Sequence, residues 1–106
     1  MIRKSFLIQA KPGMTAEYKK RHNPIWPEMA AVLKKYGVHN YSIFLHEPTG
    51  MLFGYLEIEE EKRFEALGEE ALCRKWWKYM KEVLISENED APMAKEETLK
   101  EVFHLS

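Results

Sequence analysis

The sequence is poor in cysteine and in net charge. Cys73 is its single cysteine, so the chain can form no internal disulfide, and no CxxC pair indicates a metal site. The 16 Lys and Arg and the 17 Asp and Glu residues are interspersed and leave a formal net charge of -1. These features exclude a disulfide scaffold, argue against nucleic-acid binding, and predict a protein of the reducing cytoplasm.

Long apolar runs and a glycine-rich phosphate loop are also missing. No stretch approaches the roughly 20 residues of a membrane-spanning helix. Residues 1–10 include an early basic residue, but Gln9 interrupts their short apolar stretch and no small-residue cleavage site follows. They therefore predict a strand rather than a signal peptide, and we expect no membrane association.

What the sequence does contain is typical of one small globular domain. Its 106 residues are 45% hydrophobic and 31% charged, which predicts one domain over residues 1–106 and leaves no room for a second. A chain of this length buries only somewhat more than half of its unfolded surface, so association into an oligomer would add useful burial.

The order of helical and strand patterns predicts an α+β fold. Short β-branched and aromatic runs indicate strands, and apolar residues at helical spacing indicate helices. The predicted elements are a strand at 2–9, a helix at 14–36, strands at 38–47 and 51–59 around a turn at 48–50, a helical lead-in at 60–67, a helix at 71–84 and a strand at 98–105. This order, β-α-β-β-α-β, is the ferredoxin-like arrangement.

Residues 18–29, YKKRHNPIWPEM, combine a helical pattern with two helix-breaking prolines. At about 100° per residue, Tyr18 and His22 fall in the core-facing stripe, whereas Pro24 and Pro27 face solvent. We expect the prolines to bend the helix after His22 and to leave nearby carbonyls unpaired. The bend would hold open a gap lined by Tyr18 and His22.

Two interpretations of His22 are open at this point. A single histidine on an apolar face is more often a hydrogen-bonded core residue than a catalytic one. However, the second predicted helix carries Trp76 in its apolar arc and Trp77 at the edge of that arc, and Tyr41 lies on a predicted strand. Indoles, tyrosine hydroxyls and a histidine together suit a pocket that stacks on sugar rings and offers hydrogen bonds.

The other reactive side chains are expected to be structural. His39, His46 and His104 lie on predicted strands with no second ligand at metal spacing, which indicates ordinary sheet or surface histidines. Cys73 falls within the apolar arc of its helix and is expected to fill the core. The acidic segment 86–92 is expected to be a solvated loop.

Three motifs resemble those of the L-rhamnose mutarotase family. They are RHNPIWPEM at 21–29, HNYSIFL at 39–45 and RKWWKYM at 74–80. They occur in the family's order, and the similarity covers nearly the whole chain. The acidic segment 86–97 matches least, which leaves its contribution as a lid or rim of the site undefined.

The resemblance implies a homodimer of ferredoxin-like subunits, the dimeric α/β barrel, with no metal or organic cofactor. It implies interconversion of the α and β anomers of L-rhamnose, with His22 as the catalytic acid. It also implies that Tyr18, Tyr41, Trp76 and Trp77 bind the sugar, and Tyr41 is singled out strongly only in this way.

Mutarotation needs only proton transfers, and a histidine near its ordinary pKa of about 6.5 can supply one near neutrality. The second transfer could use a water, a tyrosine hydroxyl or His22 itself, and the indoles would stack on the apolar face and C6 methyl of a deoxysugar. Two other functions fit the same residues: a cofactor-independent oxygenase of the same dimeric-barrel architecture, and a non-catalytic small-ligand-binding dimer.

The predicted sheet also favours a dimer, because helices would cover only one of its two faces. The aromatic and branched residues expected on the uncovered face are Phe6, Ile8, Phe53, Tyr55 and Phe103.

Overall fold

The computed structural model describes residues 1–88, 90, 91 and 94–106. Its elements in chain order are β1 (Ile2–Gln9), α1 (Thr15–Arg21), α2 (Pro27–Lys35), β2 (Val38–His46), β3 (Met51–Ile58), α3 (Glu61–Glu65), a 3₁₀ helix (Ala66–Glu69), α4 (Ala71–Lys81) and β4 (Glu97–Leu99). The four strands form one antiparallel sheet in the order β2-β3-β1-β4. The predicted α+β, ferredoxin-like fold is confirmed.

The helices cover one face of the sheet, and alternation along β1 and β3 decides which residues lie beneath them. Phe6 pairs with Gly54 and Ile8 with Leu52, and all four are buried on the helix side. The prediction that Phe6 and Ile8 lie on the uncovered face is therefore wrong, because their places in the strand alternation put them under the helices. Phe53 does lie on the uncovered face and is 40% exposed.

The single helix predicted over residues 14–36 is in fact two helices. α1 ends at Arg21, and α2 begins at Pro27, where the missing N–H of proline is not needed. Between them the Asn23–Pro24 peptide bond is cis. The prolines therefore do more than bend one helix, as the sequence predicts, because the hydrogen-bond ladder ends at α1 and begins again at α2. Pro24 and Pro27 are both exposed, as predicted.

The last strand is much shorter than the predicted 98–105. β4 covers only Glu97–Leu99, which pairs with β1 so that Ser5 lies opposite Leu99. Continued in this register, residue 103 would lie beside Met1, where β1 has no further residues to pair with. The tail is held near β1 by an ion pair between Arg3 and Glu101 of 2.9 Å, while Val102, Phe103 and Leu105 are 78% to 89% exposed.

α4 ends at Lys81, three residues before the predicted boundary, and Cys73 is fully buried in the core as expected. The predicted acidic loop at 86–92 falls partly on residues 89 and 92, which lie outside the described part of the chain. Within the described part, none of the helices has the length and apolarity needed to cross a membrane.

Candidate active site

His22 is the residue at which α1 stops, and its position follows from how that helix ends. The backbone N–H of His22 donates to the carbonyl of Lys19 at 3.2 Å, as in a 3₁₀ turn, instead of reaching the carbonyl of Tyr18. The Asn23 side chain donates to the same Lys19 carbonyl at 2.8 Å. The carbonyl of Tyr18 is thereby left to accept from the His22 side chain.

The contact between His22 Nδ1 and the Tyr18 carbonyl oxygen, at 3.2 Å, defines the working tautomer of the ring. A carbonyl oxygen only accepts hydrogen bonds, so Nδ1 must carry the hydrogen. The other nitrogen, Nε2, is left to exchange a proton with a ligand. Burial lowers the pKa of His22 from 6.5, and the bond to the Tyr18 carbonyl opposes that shift only in part.

Aromatic rings hold His22 from two sides. The Tyr18 ring lies 4.5 Å away at an interplanar angle of 30°, and the Trp76 ring meets His22 edge-on at 5.1 Å and 85°. Tyr18 comes from the preceding turn of α1 and Trp76 from α4, and both are buried. The His22 ring is therefore fixed by packing as well as by its hydrogen bond.

A second layer of side chains supports Trp76 from behind, and sequence reasoning missed it. Trp26 packs against Trp76 at 4.9 Å and stacks on Tyr79 at 5.1 Å. Arg21 lies 4.1 Å over the Tyr79 ring and donates to the Tyr79 carbonyl at 2.6 Å and to Glu82 at 2.9 Å. The motif at 21–29 therefore supplies a residue that supports the tryptophan of the motif at 74–80.

Tyr41 reaches the cleft because β2 contains a β-bulge. His39 pairs with Glu57 and Ser42 with Tyr55, so residues 40 and 41 together oppose the single residue Leu56. Asn40 takes the left-handed conformation at φ 46°, which asparagine tolerates better than most residues. Strict alternation from the buried Val38 would turn Tyr41 to the uncovered face, and the bulge brings it to the helix side.

The cleft between helices and sheet consists of two adjoining hollows, the larger with a volume of about 1000 Å³. Both hollows are lined by all five residues predicted for the site: Tyr18, His22, Tyr41, Trp76 and Trp77. The sequence-predicted residues are thus brought together at one place. A cleft of this size is of the class that holds small-molecule ligands.

The two tyrosines in the cleft stay protonated. Burial, followed by the charge of Glu96, raises the pKa of Tyr18, and burial, Tyr18 and Glu96 raise the pKa of Tyr41. The Tyr41 residue as a whole is 40% exposed, whereas its pKa responds to the surroundings of the hydroxyl alone. Both hydroxyls are suited to donate hydrogen bonds and unsuited to remove protons.

The remaining histidines lie outside this arrangement, in keeping with their predicted surface roles. His39 contacts Glu59 at 2.5 Å and His46 contacts Thr49 at 2.7 Å, both on exposed strand positions. In the part of the chain that the structure describes, no three His, Cys, Asp or Glu side chains lie close enough together to hold a metal ion.

The chain is similar to known proteins along its whole length. A family model described as L-rhamnose mutarotase matches residues 3–105. An L-rhamnose mutarotase of Opitutus terrae is 51% identical over 99% of both chains. The crystal structure of an L-rhamnose mutarotase from Formosa agariphila superposes with a TM-score of 0.88 at 31% identity over 100% of both chains. A structure described as an antibiotic biosynthesis monooxygenase from Nitrosomonas europaea shares the fold alone, with a TM-score of 0.65 at 11% identity over 92% of this chain and 84% of its own.

Proposed function

Because the chain belongs to the L-rhamnose mutarotase family, we propose that it interconverts the α and β anomers of L-rhamnose and that His22 is the proton donor. The observation that carries this proposal is the His22 ring inside the cleft, held at Nδ1 by the Tyr18 carbonyl so that Nε2 is available. A fixed imidazole with one free nitrogen is what general acid catalysis requires.

The reaction opens and recloses the pyranose ring. His22 in its charged form donates a proton from Nε2 to the ring oxygen while the anomeric hydroxyl loses its proton, so the bond between C1 and the ring oxygen breaks and an aldehyde forms. Rotation about C1–C2 presents the other carbonyl face, and the reverse transfers close the ring. One positioned acid or base is typically worth about 10² to 10⁴ in rate.

The other four residues orient the sugar in this proposal. Tyr18 and Tyr41 remain protonated at neutral pH because their pKa values are raised, so they offer hydrogen bonds to sugar hydroxyls. Trp76 and Trp77 both line the cleft, and in this proposal their indoles pack against the apolar side of the ring and its C6 methyl group. That methyl contact would favour a 6-deoxyhexose over a fully hydroxylated one.

Saturation-transfer NMR on L-rhamnose tests the activity directly. We expect the protein to accelerate exchange between the α and β anomeric proton signals, and not to consume oxygen with phenolic substrates. Oxygen uptake without anomer exchange would favour an oxygenase of the same fold, and neither activity would favour a ligand-binding protein.

We also propose that the protein is a homodimer of the dimeric α/β barrel type, assembled through the uncovered face of the sheet. Phe44 pairs with Phe53 across that face, and they are 67% and 40% exposed. Leu99 adds a further apolar surface at the other edge, 36% exposed. Exposed apolar side chains gathered on one face of a sheet are typical of a protein interface.

We expect sedimentation at micromolar concentration to give twice the subunit mass of 12.6 kDa. Phe44→Lys places a charge in the proposed interface and should shift the protein toward monomer, whereas Ala31→Lys, at an exposed position of α2, should not. A monomeric wild type would contradict the proposal.

We also propose that residues 1–106 form one mutarotase domain and that the protein is cytoplasmic. The location is supported by the single, buried and free Cys73, which needs no oxidising compartment. Recovery of the protein in the periplasmic fraction of fractionated cells would contradict it.

A further inference from the structure

Glu96 lies in the same cleft and has no part in the mechanism above. It lines the smaller hollow together with Tyr18, His22, Tyr41 and Trp76. The backbone fixes its position from both sides, because the Lys95 N–H donates to the Ile85 carbonyl at 3.0 Å and Glu97 is paired with β1.

Strand alternation accounts for its direction. In β4, Thr98 lies opposite Phe6 and Glu97 lies opposite Leu7. Phe6 is on the helix-covered face, so the residue before Glu97 belongs to that same face and Glu97 to the uncovered one. The adjacent residues Glu96 and Glu97 therefore lie on opposite faces of the sheet, and of these two only Glu96 lines the smaller hollow.

The carboxylate of Glu96 lies close enough to both tyrosine hydroxyls for its charge to act on them. It is a cause, after burial, of the raised pKa values of Tyr18 and Tyr41. Burial also raises the pKa of Glu96 itself, although one side of the residue remains open to solvent. Among the described lining residues of the two hollows, the carboxylates are Glu96 and Glu47, and Glu47 is confined to the larger hollow.

Resting on the proposed mutarotase activity, we propose that Glu96 is the second proton-transfer group of the reaction and acts on the anomeric hydroxyl while His22 acts on the ring oxygen. His22 and Glu96 come from different walls of the cleft, α1 and the segment before β4. In this proposal a pyranose binds between the two walls and contacts both groups. The two tyrosines, which stay protonated, cannot take the proton that leaves the sugar.

The pair balances every proton in the cycle. During opening, charged His22 gives its Nε2 proton to the ring oxygen and the Glu96 carboxylate takes the proton of the anomeric hydroxyl. The C1 to ring-oxygen bond breaks, and C1 and the anomeric oxygen form the aldehyde. During closure the new ring oxygen returns its proton to His22, and Glu96 returns its proton to the anomeric oxygen. The enzyme ends in its starting state without exchanging a proton with solvent.

The electrostatics suit this exchange, because burial brings the pKa values of the two groups closer to each other. The pKa of His22 is lowered from 6.5 and that of Glu96 is raised from 4.5. Proton transfer is most efficient when the groups involved have similar affinity for the proton near the working pH. The pH dependence of the rate should therefore show an acid limb set by Glu96 and an alkaline limb set by His22.

The test compares Glu96→Gln with Glu97→Gln, a matched pair that differs in the face of the sheet. We expect Glu96→Gln to lower anomer exchange of L-rhamnose by about 10²-fold, and Glu97→Gln to keep the wild-type rate. The wild-type rate should fall as pH drops through the raised pKa of Glu96, and this acid limb should disappear in Glu96→Gln. Added formate should restore part of the rate of Glu96→Ala by supplying a carboxylate in the vacated space.

Further measurements separate a failure of the Glu96 proposal from a failure of the proposed activity. Rhamnose should change the tryptophan fluorescence of the wild type and of Glu96→Gln alike, because Trp76 and Trp77 line the cleft and are unchanged in the variant. An active wild type with an equally active Glu96→Gln, or with an unchanged acid limb, would overturn the role of Glu96 alone. A wild type that does not exchange rhamnose anomers would overturn the proposed function, and the role of Glu96 with it.

Discussion

His22→Gln should lower the rate of anomer exchange by about 10² or more while leaving the fold nearly unchanged. The glutamine amide can still donate to the Tyr18 carbonyl that now accepts from Nδ1, so the helix end keeps its cap. Glutamine cannot exchange a proton near neutral pH, so the chemical step loses its acid. The thermal midpoint should change by only a few degrees.

Rate and stability have to be measured on the same preparations. His46→Gln is the matched control, since His46 is exposed in the hairpin and contacts only Thr49 among the side chains of its turn. It should retain the wild-type rate. If His22→Gln melts far earlier than the wild type yet exchanges anomers normally while folded, His22 is a structural residue and the mechanism is wrong.

The wild-type pH profile adds an independent check on His22. Its pKa is lowered from 6.5, so the acid form is present below that pKa and is lost as pH rises through it. Activity should therefore decline on the alkaline side. A rate that is flat from about pH 5 to 9 would point to catalysis by a different group.

Gly54→Ala should destabilise the protein by about 3 kcal/mol or more. A Cβ at this position would lie only 2.1 Å from the Cζ atom of Phe6, whose ring packs on the glycine from the neighbouring strand. Phe6 is buried and meets Tyr41 edge-on at 6.1 Å, so displacing it also disturbs the wall of the cleft. Thermal unfolding should show a drop of more than about 10 °C, together with a lower rate of anomer exchange.

Gly68→Ala is the control for this prediction, because a Cβ there would meet open space and its φ is not in the left-handed region. It should be neutral or slightly stabilising. Adding Phe6→Leu to Gly54→Ala should recover part of the loss, since the smaller side chain relieves the overlap. Additive losses in the double variant would show that the Phe6 ring is not the cause.

The fold could be predicted from the sequence because each helix and strand carries its own periodic signal. The ends of those elements could not, because they depend on which backbone groups find a hydrogen-bond partner. The strand-like pattern continues to residue 105, yet in the register of β4 residues 103–105 extend past Ile2, the first residue of β1, and have no strand beside them. Likewise, the helical pattern of 14–36 is continuous in side-chain periodicity while the backbone ladder is interrupted at Pro24 and restarted at Pro27. Periodicity reports which side faces the core, not whether the backbone stays hydrogen-bonded.

The site was predictable in part for the same reason. Tyr18 and His22 share one stripe of α1 and Trp76 lies in the apolar arc of α4, so helical periodicity predicts that all three face the core, and packing of the two helices brings Trp76 to His22. Tyr41 depends on a bulge, for which the asparagine at position 40 is a weak signal in the sequence. Glu96 is missed because it precedes a strand that was expected to start at 98, so its alternation with Glu97 could not be assigned.

Arg21 limits how the cleft can open to admit a ligand. It ties the last turn of α1 to the end of α4 through the Tyr79 ring, the Tyr79 carbonyl and Glu82. Spreading these two helices apart would break all three contacts at once. Widening of the entrance without that loss requires both helices to slide together over the sheet, a shear movement of packed layers. His22 and Trp76 would then keep their mutual spacing during every cycle of entry and release, and their distance to the strands would be the variable that changes.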